Sequence, residues 1–113
     1  MQVLVCDPDG PVVATEQDAL DLIGAVFLSA EMVAVPAARL DPKFFDLGTR
    51  FAGEVMQKFV NYRLRLAVIG DISEHLLASS ALQALVHESN RSGHVWFVAD
   101  LTALDDKIRL GSH

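Results

Sequence analysis

Read for the spacing of its apolar positions, the chain alternates between short apolar runs and longer stretches of helical period. The pattern is strongest between Asp41 and Asp71. From a start near Asp46, successive residues fall about 100° apart on a helix. Leu47, Gly48, Phe51, Ala52, Val55, Met56, Phe59 and Tyr62 then share one half of the cylinder, and that half must face a core. The other half carries Thr49, Arg50, Gly53, Glu54, Gln57, Lys58 and Asn61, with Arg50/Glu54 and Glu54/Lys58 at the i,i+4 spacing that brings opposite charges together. Leu64 to Ile69 follows as an apolar run closed by Gly70-Asp71, as expected of a strand buried on both faces.

The remaining elements take the same form. Gln2 to Asp7 and Val12 to Thr15 are β-type runs around Asp7-Pro8-Asp9-Gly10-Pro11, which predicts an N-terminal hairpin. Thr15 caps a helix whose first turn is acidic and whose stripe is Ala19, Leu22, Ile23, Val26 and Phe27, ending near Ala30. Met32 to Pro36 is a second apolar strand. Ala37 to Phe45 is a connection in which Asp41-Pro42 starts a short helical turn. Ser73 or Ser79 caps the next helix, with the stripe Leu82, Leu85 and Val86, and Asn90 and Gly93 mark its end. His94 to Ala99 is the last strand. Asp100 or Thr102 caps a final helix with Leu101, Leu104 and Ile108 on one side. Strands alternating with helices imply βαβ units, a mixed but mostly parallel sheet and right-handed crossovers. The expected fold class is therefore a single α/β domain over residues 1–110, with 111–113 set apart as a C-terminal tail.

Composition narrows the function classes. A net charge of -6 with scattered Lys and Arg lacks the basic footprint needed to hold nucleic acid or an anionic membrane. No apolar run approaches the roughly 18 residues of a membrane span. The one cysteine, Cys6, has no partner in the chain, which points to a reducing compartment, the cytoplasm.

Candidate chemistry is sparse. Asp46, Asp71 and Asp100 lie near strand ends or helix starts, the edge where open α/β sheets bind ligands, and Ser73 follows Asp71 closely. They form a candidate ligand edge, although capping and turn formation explain each Asp separately. His75, His87 and His94 have no metal spacing, Ser79 and Ser80 lie in no nucleophile elbow, and Gly70 stands alone where phosphate loops need several glycines. Neither metal, cofactor nor catalytic residue is expected. Met56 and Val60 sit at the margin of the buried arc beside Thr49 and Gly53. A stripe of small and apolar residues there could dock a protein partner or a second copy.

The runs FFDLGTRFAGEVMQKFVNY and LAVIGD, with the later HESNRSGHVWFVAD, resemble a bacterial family of domains of unknown function, over nearly the whole chain. More distantly, the order of elements resembles STAS domains, the fold of bacterial anti-anti-sigma factors. That resemblance implies a regulatory, non-enzymatic module whose control point is the start of the helix after a strand, where the factors carry a phosphorylated serine. Here the place reads Asp46-Leu47-Gly48-Thr49, so Thr49 is the hydroxyl on which such a switch would act. In the first turn of a helix, an added phosphate is compatible with the dipole and the free amides.

Overall fold

The computed structural model describes residues 2–110, and its four strands pair in chain order as one parallel sheet. They are β1 (Val3–Val5), β2 (Met32–Pro36), β3 (Arg65–Ile69) and β4 (Val95–Val98), in register Val3 to Met32, Met32 to Arg65 and Leu66 to Val95. Between and after them come helices α1 (Glu16–Val26), α2 (Phe51–Asn61), α3 (Ser73–Ala78), α4 (Ser80–Arg91) and α5 (Leu101–Leu110). Right-handed crossovers that always step to the next strand put their helices on the same face. Accordingly α1, α2 and α4 send Ile23, Phe59 and Leu82 into one cluster with Val33, Val35, Leu66, Val68 and Phe97. The opposite face, carrying Met32, Ala34, Ala67 and Trp96, is packed by Leu104 and Ile108 of α5. Covering on both faces is why β2 and β3 read as nearly unbroken apolar runs.

Two expectations need correction. Among the described residues the N-terminal hairpin is absent, and the sheet is wholly parallel rather than mixed. The predicted turn does form, with Asp9 N–H donating to Asp7 Oδ1 at 2.8 Å and Gly10 N–H to Asp7 O at 3.2 Å. The chain does not then return along β1. Val13 N–H donates to Arg39 O at 2.6 Å, and Asp41 N–H to Val13 O at 3.0 Å, so Val13 bridges Leu40 in parallel beyond the end of β2. The Arg39 guanidinium holds the intervening loop by donating to Pro11 O (2.9 Å) and Asp7 O (3.2 Å). The hairpin expected from the turn residues is thus replaced by a βαβ crossover from β1 to β2.

The second correction concerns the start of the central helix, which lies at Phe51 and not near Asp46. Asp46 Oδ1 accepts from Gly48 N–H at 3.0 Å, and this closes a 3-10 turn over Leu47–Thr49. Arg50 then adopts a left-handed conformation, φ 64°, which breaks the run before α2 begins. Thr49 consequently lies outside α2. Its hydroxyl is within bonding distance of Lys43 O (2.7 Å) and Asp46 O (2.8 Å) and accepts from Phe51 N–H (3.2 Å). Within α2 the expected arc is largely present, since Phe51, Ala52, Val55 and Phe59 are buried and Met56 is half-buried. Tyr62 is half exposed and packs edge-on against Phe27, with centroids 6.0 Å apart. Lys58 reaches across to Glu16 of α1 at 3.3 Å.

Of the two serines expected to cap the fourth helical stretch, Ser79 caps α4 by accepting from Leu82 N–H at 3.1 Å. Ser73 is the first residue of the separate short helix α3. The expected tail, 111–113, lies outside the described residues. At the end of β3, Gly70 has φ +140°, and a Cβ added there would lie 3.2 Å from that of Ala37. Gly70→Ala is expected to destabilise the fold by about 1 to 3 kcal/mol, measured by chemical denaturation. Wild-type stability would show that the turn does not need glycine.

Candidate functional site

The helix layer is uneven. α2 packs closely on α1, while Gly53, Glu54, Gln57 and Val60 leave its outer surface exposed. There an open basin of about 550 Å³ is lined by Leu47, Arg50, Gly53, Glu54, Gln57 and Leu85, among others. Gly53 leaves this surface open, since nothing beyond its chain neighbours and its own helix backbone lies within 4 Å of where its Cβ would be. Of the candidate partner surface, the structure places Gly53 in the basin and leaves Val60 45% exposed on the same helix, with Met56 half-buried between them. Asp46 and Thr49 do not line it; they lie before and in the 3-10 turn that leads into α2, next to Leu47 and Arg50, which do. Sequence reasoning missed Leu47 and Leu85 as parts of this surface, having assigned both to a buried stripe. Their half-buried state is the sign of a stripe that runs out into solvent.

The candidate ligand edge is divided between surfaces. Asp46 lines an open cleft of about 500 Å³ with Lys43, Phe45, His75 and Ser79. In that cleft the His75 ring stacks on Phe45, centroids 4.4 Å apart and planes 13° from parallel. Asp71 and Ser73 stand at a different, smaller cleft of about 250 Å³ between the ends of β3 and β4 and the helices α3 and α4. Asp100 lines neither cleft. Each carboxylate also has a local role. Asp46 takes Gly48 N–H, Asp71 takes Ser73 N–H at 2.9 Å, and Asp100 takes Ala103 N–H at 2.8 Å at the start of α5. Hydrogen bonds from the Ser73 side chain and N–H hold the Asp71 carboxyl below its ordinary value, against a smaller opposing effect of desolvation.

Among the described residues no group of three or more His, Cys, Asp or Glu side chains is gathered as metal ligands would be, and no helix is long and apolar enough to cross a membrane. Cys6 is a buried free thiol at the end of β1, and burial raises its pKa against the lowering influence of Arg39. It therefore has the surroundings of a packed side chain rather than those of an activated nucleophile.

No curated protein and no solved structure matches the chain. The model of one family, described as a domain of unknown function (DUF4180), matches residues 1–108, and the chain belongs to that family.

Proposed function

We propose that this domain is a non-enzymatic regulatory or protein-interaction module of the cytoplasm, and that its contact surface is the outer face of α2 around Gly53. The observation that supports this reading is the open basin on α2, in which the half-buried Leu47 and Leu85 lie beside Gly53. Gly53 lies in the first turn of α2, and outside its chain neighbours and its own helix backbone nothing occupies the space that a methyl group would take. The folded chain gains nothing from the missing side chain. A second backbone laid on α2 does, because it can approach more closely at Gly53 than over any larger side chain. The occupant is a protein segment, contributed by a partner or by a second copy. Residues 46–49 at the entrance to α2 serve as the control point: a phosphate on Thr49 would add a charge of about -2 and remove the hydroxyl that now ties Lys43 O, Asp46 O and Phe51 N–H together.

The alternative, a small-ligand sensor or minor enzyme using Asp46, Asp71 and Asp100 together, has less support, because Asp46 and Asp71 line different clefts and Asp100 lines neither of them.

Two substitutions at one position test the module. Gly53→Ala is expected to leave the fold at least as stable while weakening association, since the added methyl stands in the contact. Gly53→Arg is expected to fold and to abolish association. Sedimentation of the pure protein reports self-association, and recovery from the native host with identification of bound chains reports a partner. If both variants associate as the wild type does, the α2 face is not the contact surface.

A further inference from the structure

We infer that the cleft at the C-terminal ends of β3 and β4 is a binding site for a small apolar ammonium compound, with the Asp71 carboxylate as its counter-ion. The inference is independent of the α2 surface. The cleft has an apolar interior and a single charge. Its strand side is formed by Val68 and Phe97, which are register partners on adjacent strands and are both buried. Leu76 of α3 and Val86 of α4 face them, each half-buried. At about 250 Å³ the cleft lies just below the range of roughly 300 to 1,000 Å³ of drug-sized pockets, so its occupant is a small metabolite. The position is the one at which open parallel sheets take ligands, beyond the carboxyl ends of the strands.

The sign of the ligand charge follows from the polar groups present. No Lys, Arg or His lines the cleft. Of the backbone N–H groups at the start of α3, that of Ser73, which lines the cleft, is already taken by Asp71 Oδ1 at 2.9 Å. An incoming carboxylate or phosphate would face Asp71 without a compensating cation. An ammonium group would be attracted to it while its hydrocarbon part replaces water against Val68, Leu76, Val86 and Phe97.

The test uses three probes of nearly the same shape: 2-phenylethylammonium, 2-phenylethanol and phenylacetate. Each is titrated into the full chain while the methyl signals of Val68 and Val86 and the ring signals of Phe97 are followed by NMR. The ammonium is expected to shift these signals and to bind about two- to fivefold tighter than the alcohol, the size of effect an exposed ion pair gives, with phenylacetate weakest. Asp71→Asn is expected to remove the preference for the ammonium over the alcohol. Val86→Phe, which fills the cleft, is expected to stop all binding. Equal affinity for the three probes, shifts confined to other residues, or unchanged binding in folded Val86→Phe would each overturn the inference. Should Val86→Phe fail to fold, the charge series on the wild-type protein decides alone. Loss of binding at the α2 face leaves these signals unmoved, so the two readings fail separately.

Discussion

Replacing Phe59 by Ala is expected to cost the domain about 3 to 5 kcal/mol, a large part of the roughly 5 to 15 kcal/mol by which small domains are stable. Phe59 lies on the sheet-facing side of α2 and is 1% exposed, so no solvent can fill the space its ring leaves. Its neighbours cannot collapse easily either, because α2 is held between α1 and the apolar face of β2 and β3. Phe51→Ala should cost nearly as much. Its ring meets Phe44 edge-on at 6.3 Å, and Phe44 in turn touches Phe45 and Phe97, so the loss extends to the turn before α2 and to β4. Val60→Ala is the control, since Val60 is 45% exposed and should change stability by no more than about 0.5 kcal/mol. Urea denaturation of the three variants measures all of these effects. Losses below about 1 kcal/mol for both phenylalanines would mean that the buried face of α2 is wrongly placed.

The core was legible because burial leaves a periodic trace. The phase that puts Phe51, Val55 and Phe59 together does not depend on where the helix starts, so the arc survived an error of five residues at its N-terminus. That error has a local cause. A 3-10 turn over Leu47–Thr49 continues the apolar spacing for one more step, and the break after it is made by Arg50 in a left-handed conformation, for which no Gly or Asn gives warning. The α1 cap was legible for the opposite reason, since Thr15 and Asp18 satisfy each other's backbone groups within four residues of chain.

What stayed hidden depended on partners far along the chain. Asp7 to Pro11 has the turn chemistry of a hairpin, and it makes the turn. That the next residues reach Leu40 and do not return along β1 depends on bonds to residues far along the chain, among them that from Arg39, 28 residues beyond Pro11. The candidate carboxylates show the same limit. Three aspartates at helix starts or strand ends look like one edge in the sequence, yet the lateral positions of their elements put Asp46 and Asp71 at separate clefts. The basin on α2 was only half visible. Gly53 and Val60 stood out as small or apolar residues on a polar face, but Leu85 comes from α4, and its approach depends on how far α4 stands from α2.

Asn90 was read only as the mark of a helix end, and its replacement should have the second large effect. In a parallel pair, alternate residues direct their N–H and C=O to the same side. His94 and Val98 accept from β3, so Phe97 presents its backbone to the open edge of the sheet. The Asn90 side chain occupies that edge from the last turn of α4, its Oδ1 accepting from Phe97 N–H at 2.7 Å and its Nδ2 donating to Phe97 O at 3.2 Å. One carboxamide thus does for β4 what a neighbouring strand would do, while the edge at β1 is limited by a length of three residues. Asn90→Leu keeps the bulk and removes both bonds, leaving two part-buried backbone groups unpaired, at an expected cost of about 2 to 3 kcal/mol. The Phe97 amide should lose hydrogen-exchange protection, and the opened edge should make the protein associate as its concentration rises. Unchanged protection of that amide, together with wild-type stability, would show that the edge of β4 does not depend on Asn90.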